Sequence, residues 1–162
     1  MAVEKTIKLY SEPLTLAELI SLENLLDYRE ACKNYFYSRF SGIEHLDKLN
    51  FRKIRDSLLK KEIKDEMKKF HLPSRTWKMD LSEVISNIKS MWTNMENQIK
   101  HYIRNNEHLT NEDKHYLFYV LKSKNLWAEA LQTKNITETK KLSEIKTSKS
   151  KKYLINLLCR YT

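Results

Sequence analysis

The chain has 162 residues, 41% of them hydrophobic, and its 30 Lys and Arg against 21 Asp and Glu give a net charge of +9. That is enough for one modest core and too little for two domains of ordinary size. One glycine, Gly42, and two prolines, Pro13 and Pro73, exclude a many-stranded sheet with its turns, and the basic balance points to a polyanionic partner, of which nucleic acid is the commonest.

Val3, Ile7 and Leu9 alternate with Glu4, Thr6 and Lys8 in a segment that reads as a short strand within residues 1–12. Pro13 ends it. Thr15 and Glu18 form a capping box for a helix running to about Phe40, with Leu16, Leu19, Ile20, Leu26, Ala31, Cys32, Tyr35 and Phe36 as its apolar side and Gly42 as its stop. From Leu46 to Phe70 the pattern gives one or two short helices rich in lysine with acids interleaved.

The residue before Pro73 is pushed out of the α region, so a break falls there. A long helix is then expected from about Met79 to Arg104. Its core stripe is Leu81, Val84, Ile85, Ile88, Trp92, Met95, Ile99, Tyr102 and Ile103. Lys78, Lys89 and Lys100 are eleven residues apart, so they line one flank of that stripe at roughly 16 Å intervals, and Arg104 continues the line. Such an edge can meet a phosphate backbone, and it equally fits lysines that snorkel beside a core face.

Thr110 and Asp113 cap a last long helix through about Gln132, with Leu117, Val120, Leu121, Leu126, Trp127, Ala130 and Leu131 as its buried members. Residues 134–162 read as a mobile basic connector with a short C-terminal helix. They hold eight Lys and Arg against Glu138 and Glu144, which is +6 of the total. Within them Lys149, Lys151 and Lys152 are candidate phosphate contacts, or a solubilising tail. The expected architecture is therefore mainly α: a short strand (1–12), a bundle of three to five helices (13–133) and a basic C-terminal tail (134–162).

Enzyme chemistry finds no support in these residues. A single glycine excludes Gly-rich phosphate loops, His101, His108 and His115 read as surface residues, and Cys32 and Cys159 have no metal-ligand spacing. No metal or other cofactor is expected, and no catalysis. No segment reaches the roughly 18 apolar residues of a membrane span, and MAVEKTIKLY lacks the features of a signal peptide. A cytoplasmic protein with reduced thiols is expected; the sequence leaves its oligomeric state open.

Several short blocks occur in a telling order: Tyr35-Phe36-Tyr37-Ser38-Arg39-Phe40-Ser41-Gly42, Asn50-Phe51-Arg52-Lys53-Ile54-Arg55-Asp56, Leu72-Pro73-Ser74-Arg75-Thr76-Trp77-Lys78, Asn87-Ile88-Lys89-Ser90-Met91-Trp92, and Asn105-Asn106-Glu107-His108-Leu109-Thr110. In that order the chain resembles the N-terminal part of TnpB-type transposon-encoded RNA-guided endonucleases, relatives of type V CRISPR effectors. The resemblance implies a wedge strand and a helical recognition lobe that hold guide RNA and an RNA–DNA duplex. The chain stops short of that family's RuvC-like nuclease and zinc ribbon, which implies binding without cleavage. It makes Arg52, Lys53, Arg55, Arg75, Lys78, Lys89, Lys100 and Arg104 the candidates for backbone contacts that read A-form shape. Two other readings follow: an inhibitor or regulator, like an anti-CRISPR, that competes for guide RNA or for the surface of an RNA-guided nuclease effector, and a helical protein interaction module.

Overall fold

A computed structural model describes residues 13–60 and 67–162, so the expected strand at Val3 to Tyr10 lies outside the described residues. Among these there are seven α-helices and one 3-10 turn: α1 (Leu16–Phe40), the turn Ile43–Lys48, α2 (Phe51–Leu58), α3 (Ser74–Asn105), α4 (Asn111–Lys122), α5 (Lys124–Thr133), α6 (Lys140–Glu144) and α7 (Lys151–Tyr161). The mainly helical class stands: α1 to α5 lie within residues 13–133, and α6 and α7 follow in 134–162.

The helix starts follow local chemistry. Thr15 Oγ1 accepts from the Glu18 N–H while Glu18 Oε2 accepts from the Thr15 N–H at 2.8 Å, and Thr110 and Asp113 repeat the arrangement at the head of α4. Asn50 Oδ1 caps α2 through the Lys53 N–H. At α3 the helix begins at Ser74, five residues before the expected Met79, because Pro73 sits at the cap, where its missing N–H costs nothing. The single helix expected from Thr110 to Gln132 is two, since Ser123 is extended (φ −96°, ψ 108°) and its hydroxyl caps α5 through the Leu126 N–H.

Helix α3 is the spine that both cores share. One core joins Cys32 and Phe36 of α1, Leu58 of α2 and Trp77, Leu81, Val84, Ile85 and Ile88 of α3. The other joins Ile99 and Ile103 of α3 to Leu117, Leu121, Trp127, Leu154 and Leu158. Trp92 packs against both, with its ring edge-to-face on Trp127 at 5.5 Å.

Pairs across α1 and α3 run Arg29 to Asp80, Lys33 to Glu83, Tyr37 to Asn87 and Ser41 to Trp92, so the two helices are parallel with an offset of 50 or 51 residues. This register places the first residue of α3, Ser74, opposite about Asn24. The head of α1 therefore overhangs its partner, which corrects the apolar side expected there: Leu16 is 74% exposed, and Leu19 and Ile20 are exposed as well; Leu26, just inside the paired part, is also exposed. Beneath the paired part, the burial of Cys32, helped by the Asp80 charge, pushes its thiol up to about 12, so it is a packing group.

Within 134–162 the short C-terminal helix stands as α7, while the mobile basic connector before it is corrected. Ile136, Leu142, Leu154, Ile155 and Leu158 are buried in the second core. The reason is a long-range tether: the buried Asp113 carboxylate accepts from the Ser148 N–H at 2.8 Å, the Ser148 hydroxyl at 2.6 Å and the Lys149 N–H at 3.1 Å. Although burial alone would raise the Asp113 pKa, these hydrogen bonds outweigh it and hold it below the usual carboxylate value.

Candidate nucleic-acid interface

The eleven cations singled out from the sequence fall into three groups. Three are compensated: Arg55 pairs with Asp56 at 2.6 Å, Lys100 with Glu96 at 2.6 Å, and Lys151 with Glu138 at 2.7 Å, while Lys151 also donates to the Leu142 carbonyl. Lys78 lies over the Trp77 ring at 5.6 Å and Arg104 over Phe118 at 5.8 Å, with no carboxylate partner among the described residues. Arg52, Lys53, Arg75, Lys89, Lys149 and Lys152 are exposed and have none either.

On α3, at about 100° per residue, Arg75, Lys78, Lys89, Lys100 and Arg104 fall within an arc of about 80°. Ser82, Ser86 and Thr93 fall in the same arc and are exposed. Their hydroxyls add the neutral donors that commonly accompany cations on phosphate oxygens. They are legible in the sequence only once the helix is phased on Lys89. From Arg75 to Thr93, about 27 Å of helix at 1.5 Å per residue, the arc carries no carboxylate.

Beyond Thr93 the character changes. Glu96 is seven residues from Lys89 and so sits on the same edge, where it takes ion pairs from both Lys100 and Lys124 of α5. Burial raises its pKa, but the two lysine hydrogen bonds outweigh this and keep it below the usual range. The continuous edge expected from Lys78 to Arg104 is therefore interrupted at Glu96. The open part is the first half of α3, beside α2 with Arg52 and Lys53.

The tail cations do not extend this edge. Lys149 and Lys152 border α7 on the second core, and Lys151 reaches back to Glu138 and over the Tyr116 ring. His101, His108 and His115 are all exposed, and no group of three or more His, Cys, Asp or Glu side chains is placed to hold a metal ion among the described residues. No helix among them is long and apolar enough to cross a membrane. No family model matches the chain, and neither a curated protein nor a solved structure does.

Proposed function

We propose that the chain is a non-catalytic nucleic-acid-binding protein that grips a polyanionic backbone along the first half of α3. The observation that carries this is the 75–93 edge: Arg75, Lys78 and Lys89, with Ser82 and Ser86 between the lysines, Thr93 beyond them, and no carboxylate on that arc. A backbone lying there meets unneutralised charge on either side of a stretch of neutral donors. Arg52 and Lys53, exposed on the neighbouring α2, add to the field. The resemblance to TnpB-type recognition lobes supports guide-type RNA or an RNA–DNA duplex as the ligand. The test is fluorescence anisotropy of the full chain with RNA, RNA–DNA and DNA duplexes across a salt series. A log-log slope steeper than about −3, at roughly −0.9 per neutralised phosphate, is expected, and a flat response removes the proposal.

One observation favours a second reading, a protein interaction module. The N-terminal half of α1 exposes Leu16, Leu19, Ile20, Leu22, Leu25 and Leu26 beside the exposed acids Glu18, Glu23, Asp27 and Glu30. That chemistry suits an amphipathic basic helix on a partner, such as one on an RNA-guided nuclease effector, and would make the chain a regulator of it. Co-sedimentation with a TnpB-type effector that is lost in Leu19→Ser/Leu26→Ser is expected. Absence of co-sedimentation by the wild type removes this second reading.

A further inference from the structure

Helix α1 ends at Phe40, opposite the middle of α3, and the chain then turns away through Ile43–Lys48 to pack against α5. The face of α3 that α1 covers at Asp80 and Asn87 therefore continues uncovered towards its C-terminus. Gln98, Tyr102 and Asn105 lie on that continuation at helical spacing, and all three are exposed. An uncovered helix face meant for another helix would carry leucines, as the head of α1 does. This one carries an aromatic ring and amides.

The residues are held in place. Tyr102 stacks on Tyr161 of α7, with ring centroids 5.3 Å apart and planes at 29°. Tyr161 is fixed by its hydroxyl, which accepts from Asn106 Nδ2 at 3.0 Å, and the other end of that amide accepts the His108 N–H at 2.9 Å. Asn105 Nδ2 lies 2.9 Å from the His101 ring. The result is a shallow depression of about 430 Å³ between the end of α3 and the end of α7, continuous along α3 with a second beside Asn97 and Gln98. Tyr102 leaves 51% of its surface open and packs into neither core. Glu107 is the one acid among the residues that line the depression.

We infer that this depression takes one unpaired nucleobase, stacked on Tyr102, with the amides of Gln98 and Asn105 facing its edge. The inference rests on the backbone-binding reading above and deepens it. At 100° per residue Tyr102 lies about 140° round α3 from Lys89. A base reaching it must then belong to a strand that has left the paired segment on the cationic edge. An aromatic ring offers every base a π-face, and an amide offers both donor and acceptor, so this end holds an unpaired base with little sequence preference.

The test uses the full chain and one RNA hairpin, either blunt or bearing a short single-stranded extension at its 5′ or 3′ end with 2-aminopurine in the extension. One of the extensions is expected to tighten binding on the order of tenfold, the scale of one stacked base, and to quench the fluorophore on binding. Tyr102→Ala, at an exposed position outside both cores, is expected to lose the increment and the quench while binding the blunt hairpin as the wild type does; Tyr102→Phe is expected to keep both. Equal binding of blunt and extended hairpins, or an equal loss on both in Tyr102→Ala, overturns this inference alone. No binding of either hairpin at low salt overturns the backbone-binding reading and this inference with it.

Discussion

The indole N–H of Trp92 donates to the backbone carbonyl of Ser41 at 2.8 Å, tying the cap of α1 to the middle of α3. Because the same ring packs against both cores, it joins three parts of the molecule at one point. Trp92→Phe keeps an aromatic ring and removes the donor, leaving the carbonyl to a poorer partner. A loss of about 1–2 kcal/mol is expected, read as a lower urea midpoint with an unchanged slope. A variant as stable as the wild type would show that solvent takes over the Ser41 carbonyl at no cost.

Arg29 and Asp80 make an asymmetric pair. Asp80 is fully buried and one of its oxygens, Oδ2, has no hydrogen-bond partner among the described residues, while a third of the Arg29 side chain is open to water. The Asp80 hydrogen bonds and charge raise the Arg29 pKa further. Arg29→Ala strands a carboxylate in the core and is expected to cost about 3 kcal/mol, more than Asp80→Ala, whose arginine can swing out. Arg29→Met with Asp80→Leu is expected to recover most of the loss, since an apolar pair leaves nothing unpaired. Thermal melts of the three variants decide it; equal losses in the two single variants would contradict the asymmetry.

Asp113 gives the acid response a definite sign. Its carboxyl is held below the 3.8 of an ordinary aspartate, so its contribution is complete above that value and is lost as pH falls from there through the lower folded value. Asp113→Asn is expected to lower stability at neutral pH by about 1–3 kcal/mol and to flatten the stability curve below pH 4. Proteolysis within residues 134–150 is expected to quicken in the variant, because Ser148 and Lys149 lose their anchor. Unchanged protection there would mean that Leu142 and α7 hold the segment without it.

Glu96 separates a compensated stretch of α3 from an open one. If backbone phosphates lie along this edge, Glu96→Gln releases Lys100 and Lys124 and is expected to tighten RNA binding and steepen the salt slope by about one unit. Lys89→Gln is expected to reduce the slope by about one unit, and Lys100→Gln to change it little. The reverse order for the two lysines would place the contact on the distal half of the helix.

The elements were legible where their signals are local. Thr15 with Glu18, Thr110 with Asp113, and the apolar stripe of α3 all act within a few residues and stand as read, except Tyr102, which the stripe placed in the core and which is half exposed against Tyr161 instead. Ser123 was not, because the apolar spacing keeps its phase through the break and only the hydroxyl marks it. The burial of Ile136 and Leu142 in a lysine-rich stretch was also hidden, since the stretch is tied down at Ser148 by an aspartate 35 residues before that serine. At the interface the eleven-residue spacing revealed the cations, and the same arithmetic places Glu96 seven residues from Lys89. The exposed head of α1 had no such signal: it depends on where two distant helices align, which no periodicity within either one encodes.

The parallel pairing of α1 with α3 sets an order of events at the ribosome. Successive helices joined by a short turn can fold back on each other as they emerge, but here Ser41 meets Trp92, 51 residues later. At translation rates of about 5–20 residues per second, α1 waits roughly three to ten seconds for its partner. Cys32 and Phe36, which the finished fold buries against α3, are bare throughout that interval, so the nascent chain presents a ready target to holding chaperones before the spine of the fold exists.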